Sequence, residues 1–250
     1  MITDPWFYAI AIPAMIILGV SKGGFTAVGT LVVPMLSLII SPIQAAAIVL
    51  PILVLSDIVA VVSYRRIFDA KTLKIMLPGA LVGIGIGWWT AAWVTDYEIR
   101  LIVGAISVLF ALDYWFRHRL NSRPHQHNVV SGGFWGIITG FTSFVSHAGG
   151  PPFQMYAVPL RLTPPIFAGT SVILFAVVNA VKVVPYFLLG QFDATNLAIS
   201  AVLLPVSIPA TFLGIWLVKV LNVTVFYRAV YVLIFVVGIY LIWESLTGAA

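Results

Sequence analysis

Charged residues are scarce in this chain. Only 8% of its 250 residues are Asp, Glu, Lys or Arg, whereas 61% are hydrophobic. Ordinary globular proteins carry about 25% charged residues and about 45–50% apolar ones. A soluble domain of this length could not cover its surface with so few polar groups, so the composition indicates that lipid is the main solvent. It also leaves no room for a sizeable soluble catalytic domain.

Cysteine is absent, which excludes disulfides, a thiolate nucleophile and cysteine-ligated metal. We expect no metal site and no cofactor, since the four histidines include three in one basic loop, where solvation is the expected role of residues such as His127. The net charge is +5. The few basic residues behind it indicate cytoplasmic loop anchors and not a nucleic-acid surface.

Apolar stretches separated by polar, proline or glycine residues predict about 8–10 helical segments, at roughly 20 residues for each full crossing. We therefore expect an all-α polytopic membrane protein that forms a single domain over residues 1–250. The first apolar run lacks a preceding basic region, so it is expected to be a retained helix and not a signal peptide. The predicted segments are 6–20, 25–40, 42–63, 76–94, 100–116, 132–145, 153–160, 163–189, 197–218 and 225–246.

The two halves of the chain resemble each other. The sequence FDAKTL at 68–73 recurs as FDATNL at 192–197, and a polar, glycine-rich break at 21–24 recurs at 146–150. Several prolines, an arginine and a tryptophan recur at a similar separation. These matches predict two repeats, at about 6–117 and about 131–246.

The basic residues predict how the repeats are oriented. The loops at 65–74 and 117–123 are rich in Lys and Arg and are expected on the cytoplasmic side. Counting crossings from them places both termini outside, the Asp69 turn inside and the Asp193 turn outside, so the repeats are inverted. Inverted repeats with interrupted helices at matching positions are typical of alternating-access carriers. Aromatic residues near segment ends, such as Tyr64, are expected to anchor the chain at the membrane interface.

The two glycine-rich breaks are the main candidate ligand site. Non-helical backbone at membrane depth is tolerated only where protein or a water-filled cavity satisfies it, and N–H groups at the start of a helix bind anions. Glycines that serve only as packing notches are the alternative, and whether the breaks span or re-enter stays open. We predict a small anion bound between the breaks. The predicted ligands there are Ser21, Lys22, Gly23, Gly24, Ser146, His147, Gly149 and Gly150.

Asp57 lies deep in its predicted helix, where a carboxylate is costly and usually marks an ion path or a paired charge. Asn179 takes the near-equivalent position in the second half, and Lys182 follows it on the same helix face. One interpretation makes Asp57 and His147 proton-coupling residues, with Asn179 and Lys182 facing the anion. The other is a structural ion pair of Asp57 with Lys22 or Lys182, and both stay open. Weaker candidates for the cavity wall are Gln154, Thr170 and Ser171.

With these motifs the chain resembles the sulfite exporter TauE/SafE family, also called the 4-toluene sulfonate uptake permease family. The resemblance covers nearly the whole chain and rests on both breaks, on AGTS at 168–171 and on the paired Phe-Asp-Ala turns. Where many members have more glycine, this chain has Ser21-Lys22 and His147-Ala148. The resemblance implies transport of sulfur-containing oxyanions such as sulfite, sulfoacetate or thiosulfate across a bacterial-type inner membrane.

The sequence thus predicts a secondary carrier, expected to act as an exporter, with proton coupling left open and no P-loop for ATP. An anion channel is the main alternative. An intramembrane enzyme using His147 or Asp57 is a weaker one, since the adjacent Ser146 and His147 seldom share a hydrogen bond and no acid completes the set. The expected partners are the lipid bilayer and the small anion. Homo-oligomer formation stays open because lipid-facing and partner-facing apolar surfaces look alike.

Overall fold

The computed structural model describes residues 5–26, 28–37, 39–91, 93, 95–118, 126–220 and 223–247. Within these ranges the chain is helical and contains no strand, which confirms the predicted all-α class. The loop residues 119–125, where Arg119 and Arg123 were predicted to face the cytoplasm, and both chain ends lie outside the described residues. The helices are α1 (Pro5–Lys22), α2 (Val32–Leu36), α3 (Pro42–Tyr64), α4 (Ala70–Thr90), α5 (Asp96–His118), α6 (Val129–Ser146), α7 (Gly150–Ala157), α8 (Pro164–Leu188), α9 (Ala194–Val220) and α10 (Val223–Thr247), with 3-10 turns at Val28–Leu31 and Val158–Leu160.

Six of these helices are long and apolar enough to cross a membrane: α1, α3, α4, α6, α8 and α9. Of the six, α3 and α8 bury the largest share of their residues inside the protein, and they pack against each other at its centre. A helix needs roughly 20 apolar residues to span the hydrocarbon core. The described part of the chain therefore holds enough long helices for several crossings.

The two Phe-Asp-Ala turns are helix caps. Asp69 accepts hydrogen bonds from the backbone N–H groups of Lys71 and Thr72, both at 3.2 Å, and α4 begins directly after it. Asp193 accepts one from the backbone N–H of Asn196 at 2.8 Å, at the start of α9. Because a capping carboxylate satisfies N–H groups that have no partner in the helix, α4 starts six residues before the predicted segment at 76–94.

The segment predicted at 25–40 is not a long helix. It forms the 3-10 turn Val28–Leu31 followed by the five-residue α2. Pro34 falls within the first turn of α2, where the missing proline N–H costs no hydrogen bond. In a continuous helix over 25–40 the same proline would sit in the interior and break it. The short α2 packs against α1 and α3.

Glycines let α4 approach α6, and α1 approach α9, closely. A Cβ atom added to Gly83 of α4 would clash with the carbonyl oxygen of Ile137, and one added to Gly140 of α6 would clash with that of Ala80. Helix α1 packs on α9 in a similar way, and a Cβ atom on Gly23 would clash with the backbone at Gly214. Since small residues are what allow close backbone approach between membrane helices, these glycines set the spacing of the bundle.

The Asp69 turn also joins three parts of the chain. His127 contacts Asp69 Oδ2 through Nε2 at 2.6 Å, the Thr72 hydroxyl donates to the same oxygen at 2.6 Å, and the Asp69 N–H donates to Thr170 Oγ1 at 2.8 Å. The expectation that His127 is simply solvated is therefore wrong, because its ring is bonded to a capping carboxylate. Burial alone would raise the pKa of Asp69, but hydrogen bonds from Thr72, His127 and the backbone outweigh it and lower that pKa.

Replacing Gly140 with Ala should lower the midpoint of thermal unfolding in detergent. The added methyl group meets backbone that cannot move aside, and overpacking of this kind costs roughly 1–3 kcal/mol. Gly133→Ala in the same helix is the matched control, because a Cβ atom there meets nothing within 4 Å. Equal unfolding midpoints for the two variants would contradict the close α4–α6 contact.

Asp69→Asn should make stability less dependent on pH. A carboxyl group whose pKa is lower in the folded than in the unfolded chain stabilises the fold above its unfolded pKa, and this stabilisation is lost as the pH falls through the folded value. The variant should unfold at a lower temperature than the wild type at pH about 7, and this difference should close as the pH falls below about 4, the ordinary pKa range of Asp. Asn is also a good capping residue, so a difference that stays constant with pH would assign the effect to something other than the charge.

Candidate functional site

Both glycine-rich breaks end a long helix beside the α3–α8 pair. Helix α1 ends at Lys22, and Gly24 then takes φ +130°, a conformation that favours glycine. Helix α6 ends at Ser146, and His147 follows in the left-handed region with φ 54°. The breaks therefore turn the chain at the centre of the bundle and carry the residues next to them toward α3 and α8.

A buried ion pair joins the first break to α3. Lys22 Nζ lies 2.6 Å from Asp57 Oδ1, and both side chains are less than a tenth exposed. Asn179 of α8 donates from Nδ2 to Asp57 Oδ2 at 2.7 Å. Both carboxylate oxygens are thus satisfied, as a buried charge requires. Of the two ion pairs that the sequence left open, the structure contains the one with Lys22.

A second polar cluster joins the other break to α3 and α8. Lys182 Nζ lies 2.8 Å from the carbonyl oxygen of Ser143, 3.1 Å from its hydroxyl and 2.7 Å from His147 Nδ1. His147 Nε2 lies 3.0 Å from the carbonyl oxygen of Ala46 in α3. A carbonyl oxygen can only accept, so Nε2 carries a proton and donates to Ala46. In the neutral ring Nδ1 then accepts from Lys182, and His147 bridges the two central helices.

A small cavity lies between the breaks. Its volume is about 40 Å³, against ~10–15 Å³ for a single water by the same measure. Its polar wall is made by Ser21, Lys22, Thr26, Ser143, His147 and Asn179. Leu53 and Phe175 are part of the apolar wall. In this conformation the cavity has room for a compact ion and not for an aromatic ring.

Five of the predicted site residues lie in the cavity wall: Ser21, Lys22, His147, Gly150 and Asn179. Lys182 does not line the cavity but contacts its wall at His147 and Ser143. The N–H groups of the first break, however, donate within the turn: Gly23 to the carbonyl oxygen of Val20 at 3.0 Å, and Gly24 to that of Ser21 at 3.1 Å. In this conformation they are not available to an anion.

The remaining predicted residues make other contacts. Thr170 donates to the carbonyl oxygen of Ile166 at 2.7 Å and accepts from Asp69, so it holds the α3–α4 turn. Ser171 donates to the carbonyl oxygen of Ala168 at 2.8 Å. Three further predicted residues, Ser146, Gly149 and Gln154, pack near the second break but do not line the cavity.

Two tyrosines hold the breaks against the central helices. Tyr64 of α3 donates to the carbonyl oxygen of Gly23, and Tyr186 of α8 donates to that of Phe144, both at 2.7 Å. The expectation that Tyr64 anchors the membrane interface is wrong, because its side chain is buried. Each hydroxyl satisfies a carbonyl group at the end of a long helix, where four carbonyls lack intrahelical partners.

Sequence reasoning missed these tyrosines and also Thr26. The separation between Tyr64 and Tyr186 equals that between Asp57 and Asn179, so the repeat contained a usable signal. No such signal marks Thr26, whose buried hydroxyl has no hydrogen-bond partner among the described residues and lies in the cavity wall. That hydroxyl is free to bond a ligand.

Comparison with known proteins agrees with the architecture. Residues 11–241 match the sequence model of the family described as sulfite exporter TauE/SafE. The chain matches no curated protein and no solved structure. The family match covers both breaks, the two central helices and every residue of the cavity wall. The chain therefore belongs to the sulfite exporter TauE/SafE family, a family of membrane transporters.

Proposed function

We propose that the protein is a secondary carrier that exports a small sulfur-containing oxyanion by alternating access, with residues 1–250 acting as one transporter domain. The observation that carries this proposal is the cavity between the two breaks, with Lys22 and Asn179 in its wall and Lys182 directly behind it. Charged groups inside a membrane are costly in free energy and usually belong to a substrate or ion path. The polar, cationic cavity therefore supports a transport function.

The chemistry of the wall favours an oxyanion. Lys22, Asn179 and the hydroxyl of Thr26 can all donate hydrogen bonds, and Thr26 has no partner of its own among the described residues. Charge-assisted hydrogen bonds are the strongest available to an oxyanion. The volume suits sulfite, a sulfur with three oxygens, whereas sulfoacetate and thiosulfate require a somewhat wider cavity. Within the family's sulfur oxyanions, sulfite is therefore the substrate we favour.

We further propose that the two halves are inverted repeats. The packing supports this: α1 contacts α9 as α6 contacts α4, while α3 pairs with α8 and α5 with α10. Exchanging α1–α5 for α6–α10 leaves this set of contacts unchanged, as a pseudo-twofold axis requires. On this basis, together with the charge bias of the loops, we propose that both termini lie on the non-cytoplasmic side of the inner membrane, with the Asp69 turn inside and the Asp193 turn outside.

Alternating access would then tilt the pairs α1–α9 and α4–α6 about the central helices. The close glycine contacts favour each pair moving as a rigid unit, because backbone packed on backbone leaves little freedom to slide. The two tyrosine hydrogen bonds keep each break attached to the central helix of its own half. Proton coupling through Asp57 and His147 is part of this proposal. Asp57 bonds two residues of the cavity wall, Lys22 and Asn179, and His147 lies in the wall itself.

Transport in proteoliposomes tests the proposal directly. Vesicles preloaded with unlabelled sulfite should accumulate labelled sulfite transiently by counterflow, and the initial rate should saturate with concentration. Lys22→Gln should abolish this flux. Lys219→Met, which removes one positive charge from the exposed end of α9, should leave it intact. Flux without saturation or counterflow would identify a channel, and consumption of sulfite without flux would identify an enzyme.

The Lys22–Asp57 ion pair also leads to a prediction for the stability of the Lys22 variant. Lys22→Gln leaves Asp57 buried without its counter-charge, and breaking a buried pair in this way costs roughly 3–5 kcal/mol. The double variant Lys22→Gln/Asp57→Asn should recover most of that loss, because no unpaired charge remains. Its unfolding midpoint should no longer rise on addition of sulfite. Full stabilisation by sulfite in the double variant would remove Lys22 from the binding site.

A further inference from the structure

We infer that the cavity binds its anion as a singly charged species, and that Lys182 supplies the positive charge that sets this preference. For sulfite the bound form is then hydrogen sulfite and not the dianion. The inference rests on the proposed anion carrier and adds to it the charge state of the substrate. It follows from counting the buried charges around the cavity.

Among the described residues, three side chains that can carry a charge lie in or directly behind the cavity wall: Lys22, Asp57 and Lys182. Lys22 and Asp57 neutralise each other at 2.6 Å. The carboxamide of Asn179 on the second carboxylate oxygen adds no charge. The other buried charged residue in the described part of the chain, Glu244, belongs to α10 and does not line the cavity. The net charge of the cluster therefore depends on Lys182 and His147.

The contacts of Lys182 fit an ammonium group, which is the form we infer for it. Its three nearest polar atoms are a carbonyl oxygen, a hydroxyl and a ring nitrogen, all within 3.1 Å, and its side chain is fully buried. An ammonium has three donors and no acceptor, so each N–H finds one of these atoms. None of the three contacts is to a carboxylate.

His147 is neutral in the same arrangement. Its Nε2 proton points to the carbonyl oxygen of Ala46, and its Nδ1 lone pair faces the Lys182 ammonium at 2.7 Å. A proton on Nδ1 would set two donors against each other. The hydroxyls of Tyr64 and Tyr186 face backbone carbonyls and carry no charge. The cluster thus holds one positive charge more than negative charge.

A single negative charge in the cavity completes neutrality. A buried charged group without a counter-charge raises the free energy strongly in a medium of low dielectric constant. A monoanion cancels the excess from Lys182, whereas a dianion leaves one unpaired negative charge at the centre of the membrane. The cavity is therefore selective for charge as well as for size.

Two pairs of permanent anions test this inference at one pH and one ionic strength. Methanesulfonate and sulfate are close in size and shape but differ by one charge, so this pair isolates the effect of charge. Nitrate and thiosulfate, which also differ in size, extend the comparison. Binding to the purified full-length protein is measured by calorimetry and by the shift in unfolding midpoint. We expect the two monoanions to bind at least about tenfold more tightly than the two dianions, a difference of ~1.4 kcal/mol.

Changing the buried charge should change the preference. Asp57→Asn raises the net charge by one and should shift the ratio toward sulfate and thiosulfate by at least about tenfold. Lys182→Met lowers it by one and should remove monoanion binding, while Lys219→Met at the exposed end of α9 should behave as the wild type. If Asp57→Asn does not fold, Lys182→Met alone decides, since unchanged monoanion binding in that variant overturns the inference.

The outcomes separate this inference from the proposed function. Equal or tighter binding of sulfate relative to methanesulfonate by the wild type overturns the charge preference and leaves an anion carrier in place. If the wild type binds none of the four anions and does not bind sulfite either, the proposed anion carrier is overturned.

Discussion

The structure depends on one constraint, the cost of a charge that is buried without a partner. A chain with so few charged residues nevertheless places Lys22, Asp57 and Lys182 at its centre, far from the water that would solvate them. The Lys22–Asp57 contact solves part of this problem and at the same time fixes the end of α1 against α3. The central helices are thus held by the same groups that give the cavity its chemistry.

The glycines of the first break act through packing and turn geometry and not through their own N–H groups. Gly23 lets α1 approach the backbone of α9, and Gly24 allows the turn that follows Lys22. Their N–H groups are satisfied within the turn. The packing explanation, which the sequence left as the alternative, therefore fits Gly23 and Gly24, and in the proposed carrier the side chains around them face the anion.

The sequence was informative wherever a pattern repeats. Apolar runs located the long helices, and the two Phe-Asp-Ala matches marked two capped helices. A carbonyl acceptor has no sequence signature, however, so the contacts of His147 with Ala46 and of Tyr64 with Gly23 could not be predicted. The short α2 and the early start of α4 depend on Pro34 and Asp69, local signals that the apolar pattern of the surrounding segments outweighed.

The proposed repeat is symmetric in its helices but not in its charges. Asp57 of the first half corresponds to Asn179 of the second, and the lysine at the first break corresponds to His147 at the second. Had the second half kept both charges, a second ion pair would face the first and would add no net charge. Instead the second half has a neutral amide, a neutral imidazole and, one turn along α8, Lys182. Lys182, whose counterpart at the same separation is Ala60, supplies the unpaired positive charge of our inference, and with it the reason for the proposed carrier to bind an anion.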